Sequence, residues 1–478
     1  MSAAHNPNTS EKTDADRPRV LIVGAGLAGL TLGMLLNKAD IPFDIYERAT
    51  LIKPHGSAMY FNCTTASMFK QCGIYEEFAA LGKCVSTVQM CREDRQVDFK
   101  MEFGDQDKEF GARGYIIPRP QMHDLLLRQI PEERLHFGSK VLTIETDDNG
   151  VSIHCSDGSV VRGDILVGAD GAYSAVRQDL YAKLKESNNL PPPDALPLPF
   201  TTVCVVAQTW PLTPKEFPDL ALEECQFRHF VGTNKMNSWS TFTTAQNTVC
   251  WSSVLYLDEE TTKDNANFRN SEWGQETAVA MCDHIKDFPI ISGDETLELT
   301  LKDLMDHTPE GQISKVVLEE KVFHTWYSGR TVLIGDACHK LNPAGGVGGT
   351  SAMHDAIVLA NVINGLSSNS YMEDIEYAFK VYKDERLPWV EEAFESSKLH
   401  RTMAGQSFAS KVTRFVSKHM PVWMFQHIEA RSCRYRPQVS FLPLVENTGR
   451  SPHAHQPSLL VNAPSKVEKP RTVQSLEQ

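Results

Sequence analysis

Val20-Leu-Ile-Val-Gly24-Ala-Gly26-Leu-Ala-Gly29 decides the fold. Four apolar residues read as a short buried strand. Three glycines follow at Gly-x-Gly-x-x-Gly spacing, and a helix-like run continues to Leu36. About 20 residues further on, Phe43-Asp-Ile-Tyr-Glu47 reads as a second strand ending in an acid. Together these form the dinucleotide-binding fingerprint. Gly24 allows the tight turn, Gly26 lets the backbone approach a pyrophosphate, and Gly29 lets helix pack closely on strand. The phosphates then sit on the free N–H groups and positive end of the helix. Glu47 accepts hydrogen bonds from the ribose hydroxyls of an adenosine. A glycine-rich turn without a ligand is the bland alternative, and the strand, helix, second strand and acid together outweigh it.

A chain of 478 residues exceeds one compact core, so two or three substructures are expected. Hydrophobic content of 41% beside 23% charged residues is that of a soluble globular protein. A formal net charge of −14 leaves no basic surplus to neutralise phosphates, which excludes a general nucleic-acid binder. The 11 cysteines show neither C-x-x-C pairs nor a metal-like spacing. Buried thiols in a reduced, cytoplasmic setting and no metal site are therefore expected. Met1 to Arg19 is polar and charged, unlike a secretory signal. Val20 to Asn37 carries no charge and is long enough to imitate a membrane span, but its glycines and strand-then-helix pattern favour a buried unit.

Strand 20–23, helix 27–38 and strand 43–47 open the chain, and a helix over 64–72 stops at Gly73. Val85–Cys91 and Gln96–Phe103 alternate as a hairpin does. A helix over 121–129 follows Tyr115-Ile-Ile-Pro-Arg119. Leu135–Phe137, Lys140–Thr146, Gly150–Cys155 and Ser159–Arg162 read as short antiparallel strands, and Asp164–Gly168 as a buried one. Glu186 to Pro199, with five prolines, reads as a loop between substructures. Thr201–Trp210, Gln226–Val231, Ser238–Thr244 and Val249–Leu257 are β-like. Asn270 or Ser271 caps a helix to Ile285, with a short helix at Leu301–Asp306. Strand Thr331–Ile334 leads through a glycine-rich loop to a long helix, Gly349–Gly365, and 374–430 is mainly helical.

Two further stretches line up with the first. One is Gly168-Ala-Asp170-Gly171-x-x-Ser174-x-Val-Arg177; the other is Gly329-Arg-Thr-Val-Leu-Ile-Gly335-Asp336-Ala-Cys-His339-Lys-Leu-Asn-Pro343. In this order the three resemble the class A, single-component FAD-dependent monooxygenases of the aromatic-hydroxylase-like kind, over roughly residues 18–400. Within that class the chain looks most like fungal secondary-metabolism members acting on terpenoid or polyketide substrates. The resemblance implies an α/β protein (α+β overall): a Rossmann-like FAD-binding domain with an inserted β-sheet substrate domain and C-terminal helices. The expected division is a disordered tail at 1–17, an FAD-binding domain from 18–84, 110–180 and 320–400, and a substrate domain from 85–109 and 195–319. A helical region at 401–450 and a disordered tail at 451–478 complete it.

The resemblance carries the FAD site onto Gly24, Gly26, Gly29, Glu47, Arg48, Gly56, Arg119, Asp170, Asp336, Gly348 and Gly349. Asp336 ends a strand, at the sheet edge where ligands bind in α/β folds, and corresponds to an aspartate that holds a ribityl hydroxyl; a helix-capping Asp is the alternative. Backbone N–H groups at the helix start after Gly345-Gly346-Val347-Gly348-Gly349 stabilise negative charge near the flavin pyrimidine ring. Val347 and Thr350 depart from the Gln and Asn usual there. Arg119 resembles an arginine near the flavin, with a surface ion pair as the alternative. Asp170 binds cofactor, or instead caps the following helix and pairs with Arg177.

The implied reaction takes NADPH or NADH and O₂, passes through a flavin C4a-hydroperoxide, and hydroxylates or epoxidises a small organic substrate (aromatic, terpenoid or polyketide). No catalytic side chain is assigned. A flavin-dependent oxidase or dehydrogenase on the same scaffold, and a non-catalytic flavin- or lipid-binding protein, stay open. His339 and His354-Asp355 read as packing residues. Arg228, His229 and Tyr256 are candidates for facing a substrate, with ordinary sheet roles as the alternative. Phe408, Val412, Phe415 and Val416 at helical spacing, with Lys411, Arg414 and Lys418 between them, are expected to pack on the domain. Their sharper reading is a membrane-surface helix within 404–430, which would place the protein peripherally on a membrane.

Overall fold

The computed structural model describes residues 16–51, 57–233, 237–257, 275–294 and 296–460. A six-stranded sheet runs in the order Tyr327–Ser328, Thr331–Leu333, Ile165–Gly168, Val20–Val23, Phe43–Glu47, Leu135–Phe137. All its pairings are parallel except Tyr327–Ser328 with Thr331–Leu333. Strands covered on both faces read as unbroken apolar runs, and Val20–Val23 and Ile165–Gly168 are buried throughout. The uncharged stretch that imitates a membrane span is thus one strand and the helix Leu27–Lys38. That helix packs between the sheet and the helix Gly348–Asn364, whose buried residues include Met353, Ile357 and Ala360.

A second sheet has seven strands: Ser314–Glu319, Phe200–Gln208, Val249–Tyr256, Asn237–Thr243, Phe227–Val231, Thr87–Arg92 and Val97–Glu102. Thr87–Arg92 and Val97–Glu102 therefore join a sheet otherwise built from Phe200 onward, through a parallel pairing of Thr87–Arg92 with Phe227–Val231. One face buries Val205, Ala207, Phe230, Trp239 and Trp251 against Ile285, Phe288, Ile290, Leu301 and Leu304. Both indoles keep their N–H satisfied, Trp239 on Pro289 O at 2.8 Å and Trp251 on Thr308 Oγ1 at 3.0 Å. The other face brings Phe242 and Cys250 to Ile116 and Val85, next to the small sheet of Ala58–Phe61, Tyr115–Pro118 and Lys83–Cys84.

Three expectations change. Leu135–Phe137 does not belong to the antiparallel group: it pairs in parallel with Phe43–Glu47 at the edge of the main sheet. Three alternating residues carry no mark of their partner. At the N-terminus, residues 1–15 lie outside the described residues, but Arg17 Nη1 donates to Asn364 Oδ1 at 3.1 Å, and Ser368 N–H to Asp16 O at 3.0 Å. At the other end, Ser458 N–H reaches Glu385 Oε2 at 2.6 Å and Gln456 Nε2 reaches Gln438 O at 2.8 Å, so 451–460 is fastened to the protein. Polar composition does not loosen a segment whose polar groups find buried partners. Residues 461–478, like the cap at Asn270 or Ser271, lie outside the described residues.

The helix Met372–Ala404 runs 33 residues with Pro388 inside it, and Phe408–Lys418 and Val422–Ser432 follow. Among the described residues no helix is long and apolar enough to cross a membrane.

Candidate functional site

The carboxyl ends of the central strands converge on one cleft, and close backbone approach puts glycine there. Gly24 has φ +106°, and a Cβ on it would lie 2.5 Å from Ala169 O, so this turn rests directly on the Ala169–Asp170 turn. A Cβ on Gly29 would overlap Gly24 O. A Cβ on Gly26, by contrast, would meet nothing within 4 Å. Open space at that glycine is what an approaching pyrophosphate needs.

Glu47 stands beside this loop. Its Oε2 accepts the Ala25 N–H and its Oε1 the Ala49 N–H, both at 2.9 Å. Each oxygen retains a lone pair, so the carboxylate clamps the loop and still has capacity for a ligand. His123 Nε2 donates to Ala25 O at 2.7 Å, and burial lowers its pKa, so a neutral imidazole holds the loop from the other side. Arg48 is exposed next to Glu47, and Gly56 lies outside the described residues.

Gly335 has φ +60°, and a Cβ there would lie 3.2 Å from both Ala28 and Ala352. The Gly335–Asp336 turn is thus wedged between two helices. Asp336 is half-buried and pairs with Lys340. Arg119 begins the helix Arg119–Leu127, its N–H donating to Ser57 O at 3.2 Å. Its side chain keeps a large accessible area, yet protein surrounds it on nearly every side. Both hold for a group standing in a deep open cleft. The guanidinium has no hydrogen-bond or ion-pair partner among the described residues; desolvation lowers its pKa and the charge of Asp336 opposes that shift.

The start of the helix Gly348–Asn364 faces the same region. A Cβ on Gly348 would meet nothing, whereas one on Gly349 would lie 2.6 Å from Met59 and 3.3 Å from Leu27. Thr350 Oγ1 is buried without a partner.

Asp170 caps a helix. Its Oδ2 accepts the N–H groups of Ala175 at 2.6 Å and Val176 at 3.2 Å, and Ser174 accepts the Arg177 N–H at 2.9 Å. Its Oδ1 is buried without a partner, and burial raises the carboxyl's pKa. The expected pairing with Arg177 does not form: that guanidinium donates to Ala337 O at 2.8 Å and Ala172 O at 2.5 Å.

Behind Asp336 lies a buried network with no signature in the spacing of its members. Asp355 Oδ2 accepts the Gly335 N–H at 2.8 Å and His339 Nε2 at 2.5 Å, while Oδ1 accepts Arg386 Nε at 2.8 Å. Burial opposes the charge on Asp355, but His339 and Arg386 outweigh it and hold the carboxyl below its ordinary value. Cys338, His339 and Asp355 have metal-like proximity, all within 4.8 Å. The carboxylate is already committed to three donors, and burial pushes the Cys338 thiol well up, so the cluster acts as a buttress for the turn.

Of the sheet candidates, Arg228 points into the helix-covered face and forms a buried ion pair with Asp219. His229 is on the opposite face, with Nδ1 2.7 Å from Ser240 Oγ. His354 Nε2 meets Thr64 Oγ1 at 3.0 Å, a packing contact.

The profile of the FAD binding domain family matches residues 17–288 and 294–397. The FAD-dependent monooxygenase nodM of Hypoxylon pulicicidum is 26% identical over 391 residues, covering 80% of this chain and 79% of its own. The FAD-dependent monooxygenase atmM of Aspergillus flavus is 25% identical over 454 residues, covering 91% and 89%. In fold, the chain is similar to Klebsiella pneumoniae HpxO complexed with FAD and uric acid, at TM-score 0.68 and 18% identity over 87% of this chain and 96% of that one. The matched profile takes in the glycine loop, Glu47, Asp170 and Asp336 alike, and the chain belongs to the FAD-binding-domain family of class A, aromatic-hydroxylase-like FAD-dependent monooxygenases, an oxidoreductase.

Proposed function

We propose that the enzyme binds FAD along this cleft and uses NADPH or NADH with O₂ to hydroxylate or epoxidise a small aromatic, terpenoid or polyketide substrate. The convergence of Gly26, Glu47, Arg119, Asp336 and Gly348 on one sheet edge carries this reading. Secondary metabolism in a fungus is the setting that the relatives suggest. The residues fit the cofactor: open space at Gly26 admits the pyrophosphate, Glu47 retains acceptor capacity for ribose hydroxyls, and Asp170 Oδ1 lacks a partner. Asp336 accepts a ribityl hydroxyl. Arg119 supplies an unpaired positive charge, and the N–H groups at Gly348 and Gly349 add the positive end of a helix. Arg48 lies close enough in sequence to Glu47 to reach the adenosine. When bound and reduced, FAD supplies the activation of O₂; the protein orients it and excludes water.

Purified protein reconstituted with FAD is expected to be yellow. With its substrate it consumes NAD(P)H and O₂ in equal amounts and places one atom of ¹⁸O₂ in the product. Product free of ¹⁸O, with stoichiometric hydrogen peroxide, would mean an oxidase instead.

A specific observation adds a location. Phe408, Phe415 and Trp423 are 82%, 65% and 70% exposed, beside exposed Val412, Val416, Val422 and Ile428. The apolar face of Phe408–Lys418 therefore turns outward. Residues 401–436 hold seven Lys or Arg and one acid in a chain of net charge −14. Arg401, Lys418 and Arg431 are paired with Glu320, Asp98 and Glu392, but Lys411 and Arg434 stand exposed near the outward apolar face, which suits an anionic lipid surface with the enzyme lying peripherally on the cytoplasmic side of a membrane.

A further inference from the structure

The side of the seven-stranded sheet away from its covering helices carries a polar row. His229 lies opposite Ser240, Ser240 opposite Ser252, and Ser252 opposite Val206. Phe230, Trp239 and Trp251, their chain neighbours, fill the helix-covered face, so alternation turns His229, Ser240 and Ser252 the other way. The adjoining row is apolar: Phe227, Phe242 and Cys250, with the first two rings 5.1 Å apart, packed towards Ala58 and Tyr60. On the other side lie Val231, Ser238 and Val254.

Several polar atoms on or beside this face are buried and unspent, among them His229 Nε2, Ser238 Oγ, Thr202 Oγ1, Tyr60 Oη and Ser397 Oγ, the last lying against Gly345 in the turn before the helix Gly348–Asn364. Nearby cations are already engaged. Arg414 donates to Met403 O at 2.7 Å and Gly405 O at 2.5 Å, and Arg401 pairs with Glu320 at 2.9 Å. Burial first, and then the nearby Arg414 guanidinium, lowers the His229 pKa to about 4, so the ring is neutral near pH 7. Its Nδ1 is held by Ser240, which fixes the ring. A buried polar group without a partner is costly, and a ligand oxygen would relieve it.

We propose that His229 Nε2 is the hydrogen-bonding anchor for an uncharged, largely apolar substrate that carries a hydroxyl or carbonyl oxygen, with Ser240 as the positioning residue. This rests on the reading that the cleft is the cofactor's and that this sheet face covers the substrate. A site built to bond an oxygen rejects the analogue that lacks it, because its own buried group is left unpaired. A carboxylate in place of the alcohol is disfavoured at His229, since the neighbouring Arg401 and Arg414 are already engaged.

The probes are farnesol, the hydrocarbon farnesene and the anion farnesoate, titrated into FAD-reconstituted full-length protein and followed by flavin absorbance and tryptophan fluorescence. Farnesol is expected to bind roughly tenfold more tightly than farnesene, and farnesoate more weakly than farnesol. His229→Phe abolishes the preference for farnesol while leaving farnesene within about twofold. His229→Gln restores part of it, and Ser240→Ala weakens farnesol alone. Equal binding of farnesol and farnesene, a preference that survives His229→Phe, or no saturable binding of any probe would overturn the proposal. The cofactor reading fails separately: if no yellow complex forms, tryptophan fluorescence still decides the case of His229.

Discussion

Arg386 Nε donates to Asp355 Oδ1 at 2.8 Å with both side chains fully enclosed, and the second oxygen of that carboxylate holds the Gly335 N–H. A helix 33 residues long is thereby tied, through one buried acid, to the turn that presents Asp336. The two buried charges offset each other directly, and the Gly335 N–H and His339 also donate to the carboxylate, while Arg386 Nη2 finds Ser351 O and Nη1 is buried without a partner.

Removing one partner leaves the other charge uncompensated. Asp355→Asn is expected to destabilise the protein by about 3–5 kcal/mol and to loosen FAD binding, read by thermal unfolding and by flavin release. The pH dependence has a definite sign. The folded carboxyl is held below its ordinary value, so its contribution is fully present above the unfolded pKa, near 4, and is lost as pH falls further towards the folded value. The gap in Tm between wild type and Asp355→Asn should be full from about pH 5 to 7 and narrow below about pH 4. A gap that widens towards acid contradicts the assignment.

Two glycines of one loop should behave in opposite ways. At Gly29 a methyl group has no room, so Gly29→Ala is expected to lower expression and thermal stability. At Gly26 a methyl group meets no protein atom, so the apo-protein of Gly26→Ala should unfold with the wild type. The methyl group nevertheless occupies the approach of the pyrophosphate, and FAD affinity should fall at least about tenfold, some 1.4 kcal/mol. Unchanged FAD affinity in Gly26→Ala would remove the loop from the cofactor site.

Arg119 has no partner to lose among the described residues, so Arg119→Met should leave apo-protein stability within about 0.5 kcal/mol. With FAD, the loss of a nearby positive charge should slow reduction by NAD(P)H and make the flavin potential more negative, both measurable anaerobically. An unaltered potential would show that the guanidinium stands away from the flavin.

The outward face of Phe408–Lys418 gives a surface test. Full-length enzyme should co-sediment with vesicles containing phosphatidylserine, less so at high salt and less so with neutral phosphatidylcholine alone. Phe408→Ser combined with Phe415→Ser and Trp423→Ser should abolish sedimentation and leave turnover of a dissolved substrate intact, because these side chains are exposed. Wild-type enzyme that stays in the supernatant with anionic vesicles would exclude a lipid surface.

Residues 20–47 were legible in the sequence because everything that defines them is local. Apolar runs, glycine spacing and a terminal acid lie within one strand, one helix and one more strand, and the structure places these at Val20–Val23, Leu27–Lys38 and Phe43–Glu47. The strands Phe200–Gln208 and Asn237–Thr243 were equally legible from composition and turns. What joins distant parts was not. Leu135–Phe137 chose the main sheet, and Asp355 found Arg386, His339 and Gly335, through tertiary packing that no spacing encodes. The sequence alone determined that Arg228 and His229 must face opposite ways, since alternation is a property of any strand. Only the tertiary structure decided which of them the helices cover: Ile285, Phe288, Leu301 and Leu304 packed on the Phe230 and Trp239 side, Arg228 closed onto Asp219, and His229 was left on the other face with an unspent nitrogen.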